Sequence, residues 1–188
     1  MGDNMKKLFI LILSIVMLSG CAEDTTVNEQ DSLTKYESYL NTLIEQDRYV
    51  QDSYYYDIYA ILNKLEDGTT RYDIIIENPQ VAMYNVEILV AESTAKRSDM
   101  FIYPCIGIFD EESYTLIPNQ SNTSEGYIEA ICLSGVSTVE EPVLNILVTW
   151  KDYAKLTTTR EFIKLFPTYP EEVVEEEMVD EVEGEEEE

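Results

Sequence analysis

Hydrophobic and polar positions fall into three regimes along the chain. Residues 8–18 are apolar except for Ser14, and they follow Lys6 and Lys7. Over residues 33–50, Leu33, Tyr36, Leu40, Leu43 and Ile44 recur at helical spacing, with Lys35, Glu37, Glu45 and Asp47 between them. This spacing predicts an amphipathic helix over 33–50 with Ser32 as N-cap. Such a stripe docks on the domain's own core or, alternatively, on a partner helix. From residue 53 the period drops to two. Strands are predicted over 54–65, 71–77, 83–92, 101–109, 114–117, 127–133, 144–150 and 157–166. Asp67-Gly68 is a hairpin signal and Asn78-Pro79 a breaker, with polar clusters at 110–113, 118–126 and 134–142 between later strands. Eight short strands at this spacing predict a mainly β fold. The expected architecture is an antiparallel β-sandwich over 53–168, preceded by one N-terminal amphipathic helix.

The first regime has the layout of a secretory signal peptide: a basic start, a short apolar stretch and small residues at its end. Eleven residues are too few to cross a bilayer, which takes about 20. Asp3 ahead of the lysines makes Met5 an alternative start. Leu18-Ser19-Gly20-Cys21 resembles the lipobox of bacterial lipoproteins. That resemblance implies diacylglycerol transfer to the Cys21 sulfur and cleavage between Gly20 and Cys21, leaving 1–20 as the signal peptide. Each buried CH₂ contributes about 0.8 kcal/mol, and two acyl chains such as palmitate anchor stably where one does not. Residues 21–32 are polar and read as a tether.

A second resemblance concerns the fold. Tyr72-Asp73-Ile74-Ile75-Ile76-Glu77-Asn78 followed by Met83-Tyr84-Asn85-Val86-Glu87-Ile88 resembles the central hairpin of immunoglobulin-like domains on bacterial surfaces. It implies an immunoglobulin-like sandwich and says little about activity. There is no Cys-Trp-Cys spacing to accompany it, and Trp150 lies late in the chain.

Charge and composition then narrow the function. The formal net charge is -26, and removal of Lys6, Lys7 and Asp3 with the leader leaves ten basic and 37 acidic residues. Such a surface repels nucleic-acid phosphates, so no nucleic-acid partner is expected. It also repels an anionic leaflet, which assigns membrane attachment to the lipid on Cys21 rather than to charge. With no histidine in the chain, Ser-His-Asp and Cys-His catalysis and histidine-ligated zinc are excluded. Residues 171–188 carry twelve acidic groups with Val173, Val174, Met178, Val179 and Val182 between them. A solvated, disordered acidic tail over 169–188 is expected.

Few residues carry candidate chemistry. Cys105 and Cys132 either pair as a disulfide in an exported protein or remain as buried free thiols. Asp110-Glu111-Glu112 is an acidic triplet in a turn, without the spacing of a calcium loop. Tyr54, Tyr55, Tyr56 and Tyr59 read as one strand with Tyr54 and Tyr56 opposite Tyr55 and Tyr59, which exposes at least one pair as a possible patch for protein or glycan. No phosphate-binding loop, nucleophile elbow or dinucleotide fingerprint is present. Neither a catalytic residue, a metal site nor a cofactor is expected. The reading is a lipid-anchored lipoprotein on the outer face of the cell membrane, a non-catalytic module that binds or organises an envelope protein. The alternatives are a carboxylate-dependent envelope hydrolase or small-ligand carrier, and an exclusion lipoprotein of a phage or mobile element.

Overall fold

Alternation along one strand shows how the chain closes. In strand β2 (Thr70–Glu77), Tyr72, Ile74 and Ile76 are buried while Arg71, Asp73 and Ile75 face outward. The computed structural model describes residues 29–170. Helix α1 (Glu29–Glu45) precedes β1 (Asp57–Lys64), β2, β3 (Met83–Glu92), β4 (Cys105–Ile106), β5 (Tyr114–Leu116), β6 (Ala130–Ser137), β7 (Leu144–Lys151) and β8 (Thr158–Leu165). One antiparallel sheet has the order β1-β2-β6, and the other has β4-β3-β7-β8 with β5 on β3. The chain crosses between the two facing sheets after β2, after β5 and after β6, and the orders β1-β2-β6 and β4-β3-β7-β8 give an immunoglobulin-like sandwich. The β1–β2 hairpin turns at Asp67-Gly68, where Gly68 takes φ 84° and the Thr69 N–H and hydroxyl both donate to Asp67 Oδ1.

The core between the sheets contains Leu62, Ile74, Ile76, Val86, Ile88, Val90, Ile146, Val148 and Trp150. Each fully buried aliphatic side chain contributes about 1.5–3 kcal/mol relative to exposure. A second layer lies outside the larger sheet, where Tyr36, Tyr39, Leu40 and Leu43 of α1 pack on Leu89, Ala91 and Leu147. This explains why β3 is apolar on both faces beyond Ile88: one side meets the other sheet and the reverse side meets the helix. The stripe on α1 therefore serves the domain's own core.

Several boundaries differ from the pattern-based expectation. Within the described residues α1 already covers Glu29, inside the expected tether, and it stops at Glu45 rather than residue 50. Ser32 is buried inside the helix instead of capping it, and Leu33 faces water. Glu29 and Asp31 in the first turn suit the positive end of the helix dipole. At the other end, Gln46 Oε1 accepts the N–H groups of Asp47 and Arg48, and Val50 then pairs with Ile163 on the edge of β8. The strand expected over 101–109 is reduced to Cys105–Ile106, while β6 runs on to Ser137 through residues expected to turn. The leader, residues 21–28 of the tether and the acidic run 171–188 lie outside the described residues.

β3 also carries a bulge. Tyr84 pairs with Lys151 and Glu87 with Thr149, so β3 holds one extra residue at Asn85, whose φ is 50°. The bulge brings Val86 carbonyl oxygen against Gly107, where φ is 74° and an added Cβ would lie 2.4 Å from that oxygen.

Candidate functional site

The loop between β3 and β4 is held at both ends. Lys96 N–H donates to Asp99 Oδ2 at 2.8 Å, and the Tyr103 hydroxyl donates to the same oxygen at 2.6 Å. These bonds hold the Asp99 carboxyl below the usual carboxylate range. The Tyr103 hydroxyl is pushed up by burial and then by the Asp99 charge. Tyr103 N–H donates to the Tyr36 hydroxyl oxygen of α1 at 2.8 Å, and Val90 N–H donates to the Pro104 carbonyl at 2.9 Å. Met100, Phe101 and Ile102 span the gap between Asp99 and Tyr103 and find no core to enter. Met100 is fully exposed, and Phe101 and Ile102 are each 60% exposed.

Below this apolar tip lies an open groove of about 700 Å³. Its walls are Phe101, Ile102, Tyr103 and Pro104 from the loop, Glu92 at the end of β3, and Tyr72, Val136 and Thr138 from the smaller sheet. Phe101 packs edge-on against Tyr103 with ring centroids 4.7 Å apart. Tyr72 reaches the groove by lying across Gly135, where a Cβ would come within 2.2 Å of its ring. Burial, followed by the Glu92 charge, pushes the Tyr72 hydroxyl up to about 12. Val136 of the wall and Val139, three residues on, are both exposed. Aromatic walls and an exposed three-residue apolar tip suit an apolar segment of a partner or an apolar ligand, and Glu92, Lys96 and Asp99 put charged groups in the same groove.

Of the residues quoted from the sequence, Tyr72 lines this groove, while none of the candidate chemical residues does. Cys105 and Cys132 are both free: Cys105 is half-buried on β4 and Cys132 is exposed on β6, in different sheets. This corrects the disulfide alternative, and the alternative of two buried thiols is corrected as well. Burial, with Asp110 nearby, pushes the Cys105 thiol up to about 11. Asp110, Glu111 and Glu112 are exposed, and Asp110 Oδ2 accepts the Gly107 N–H at 2.6 Å. Tyr54, Tyr55 and Tyr56 precede β1 in a bent segment and do not alternate as a strand. Tyr54 is exposed, while Tyr56 is buried edge-on to Trp150, which Tyr55 also meets. Cys21 lies outside the described residues. Among the described residues, no group of three or more His, Cys, Asp or Glu could hold a metal ion, and no helix is long and apolar enough to cross a membrane.

The groove was missed because its walls come from residues 72, 92–104, 136 and 138, three stretches that only the fold brings together. One local signal was present. Met100-Phe101-Ile102 is an unbroken apolar run directly after the polar residues 96–99. Comparison with known proteins adds no assignment: no family model, no curated protein and no solved structure matches this chain.

Proposed function

We propose that the chain is a lipid-anchored extracytoplasmic bacterial lipoprotein. Diacylglyceryl on Cys21 holds it to the outer face of the membrane, and its sandwich domain is a non-catalytic binding module for another envelope protein. The observation that carries the binding role is the exposed Met100–Ile102 tip over the aromatic groove. Apolar side chains held out by a braced loop are a standing cost in water unless something covers them.

Geometry supports the same reading. Cys21 stands eight residues ahead of Glu29. α1 begins beside Phe109 and Glu111 and ends where Glu45 pairs with Arg97 of the groove loop.

A photo-reactive residue at position 101, expressed on intact cells, is expected to give a discrete adduct with an envelope protein. The same residue at exposed position 54 is expected not to give it. Equal adducts from both positions, or none from 101, contradict the reading. A second reading is a small-ligand carrier, since the groove falls in the range of small-molecule sites, about 300–1,000 Å³. Depletion of the adduct by a low-molecular-weight extract of the envelope would favour that reading.

A further inference from the structure

Helix α1 leaves one end of the larger sheet bare. On the outer face of β7 and β8, Thr149 pairs with Arg160 and Lys151 with Thr158, while Val148 and Trp150 point into the core. A cleft of about 490 Å³ opens there, lined by Lys35, Asn85, Lys151, Thr158 and Arg160 and by one carboxylate, Glu87. Lys155 sits beside it, 4.5 Å from the Tyr84 ring. Four of the chain's twelve Lys and Arg residues thus gather on one patch of a molecule with formal charge -26.

The nearby carboxylates are already engaged. Glu87 accepts from Lys35 and, through Oε2, from the Tyr39 hydroxyl at 2.6 Å and the Thr149 hydroxyl at 3.3 Å. Asp152 Oδ1 accepts the N–H groups of Leu156 and Thr157 in the hairpin turn. Asp110, Glu111 and Glu112 line a neighbouring hollow that shares Asn85 and Glu87 with the cleft. Lys151 and Arg160 are consequently left without an ion pair among the described residues. The Tyr39 ring, 5.5 Å from the Arg160 guanidinium, holds that side chain at the rim of the cleft.

We propose that this cleft is a phosphate-binding site. Arg160 supplies a planar fork for two oxygens, Lys151 a point charge, and Thr158 and Asn85 neutral donors. Donors converging from three strands match the several oxygens of a phosphate group better than the two oxygens of a carboxylate. The group comes either from a soluble phosphate ester or from a phospholipid headgroup. The cleft meets the middle of α1 through Lys35 and Tyr39, and in the β7–β8 turn Tyr153 and Leu156 are exposed. The headgroup source alone rests on the Cys21 anchor; the site itself does not.

The test uses the chain from residue 21 to 188 with Cys21→Ser, titrated with inorganic phosphate and followed by amide NMR. Saturable shifts are expected at Asn85, Lys151, Thr158 and Arg160. Lys151→Gln and Arg160→Gln should each weaken binding about tenfold, the effect of one lost charge-assisted bond. Lys64→Gln, which removes a cation on the smaller sheet, should not. Unchanged thermal unfolding of the variants keeps the comparison clean. Sedimentation with phosphatidylglycerol vesicles, against vesicles of an uncharged glycolipid, separates the sources. Vesicle binding lost in Arg160→Gln identifies the headgroup, and phosphate binding without vesicle binding identifies a soluble ester. Absence of both, or shifts equal in wild type and Arg160→Gln, overturns the site.

Discussion

Tyr103 N–H donates to the Tyr36 hydroxyl at 2.8 Å, a bond that ties the loop carrying the apolar tip to the helix behind it. Both residues are buried. Tyr36→Phe keeps the ring but removes the acceptor, so Tyr103 N–H is left buried and unpaired. The expected loss is about 1–3 kcal/mol. Chemical denaturation measures it, and amide exchange at Tyr103 should accelerate beyond that of β7. An unchanged Tyr103 exchange rate would show that this bond does not brace the loop.

The same loop should respond to pH through Asp99. The Tyr103 hydroxyl and then the Lys96 N–H hold its carboxyl below the usual range. A carboxyl lowered in the folded state stabilises above its unfolded value and loses that contribution as pH falls through its folded value. Exchange protection at Lys96 and Tyr103 is therefore expected to be present at neutral pH and to fade below about pH 4, the ordinary carboxylate range. Asp99→Asn should show weak protection at both ends of the titration. Protection that is flat with pH in the wild-type chain contradicts this.

Glu87 joins helix to sheet. Its side chain is 16% exposed and accepts from Lys35, Tyr39 and Thr149. Glu87→Ala strands these donors, and the expected loss is about 2 kcal/mol. A fully buried pair would lose more, but Lys35 is 39% exposed and water takes over part of its interaction. Glu87→Gln, which keeps an oxygen for Tyr39, should lose less. Equal stability of Glu87→Ala and wild type in urea would contradict the role.

The two cysteines of the domain should behave independently. Cys132 is exposed and should react with a maleimide in the native state, while Cys105 is half-buried with its thiol pushed up to about 11. Cys105 is expected to label slowly at neutral pH and to catch up only in denaturant. Peptide mapping after native oxidation should find no Cys105–Cys132 link, because the two strands belong to different sheets. Recovery of that link from folded protein would mean a different register or sheet assignment.

The strands were legible wherever one face alone meets the core. Tyr72, Ile74 and Ile76 alternate with outward residues, and Asp67-Gly68 marks the β1–β2 turn, because those local patterns coincide with the tertiary demand. Legibility failed where a second partner intervenes. Leu89 and Ala91 are buried by α1 on the face that alternation assigns to solvent. Phe101 and Ile102 have strand-like composition, yet the bonds at Asp99 and Tyr103 hold them in a loop. Tyr56 turns inward to Trp150 from a bent segment rather than from a strand. The groove and the cationic cleft depend on register between distant strands, and no local pattern records that.

The proposed attachment through Cys21 is the central claim of the functional reading, and mass spectrometry of the mature N-terminal peptide tests it most directly. The account predicts a chain beginning at Cys21 and carrying the mass of a diacylglyceryl group on sulfur, absent from a Cys21→Ser variant. A mature chain that retains residues before Cys21, or that begins at Cys21 with an unmodified thiol, would contradict it.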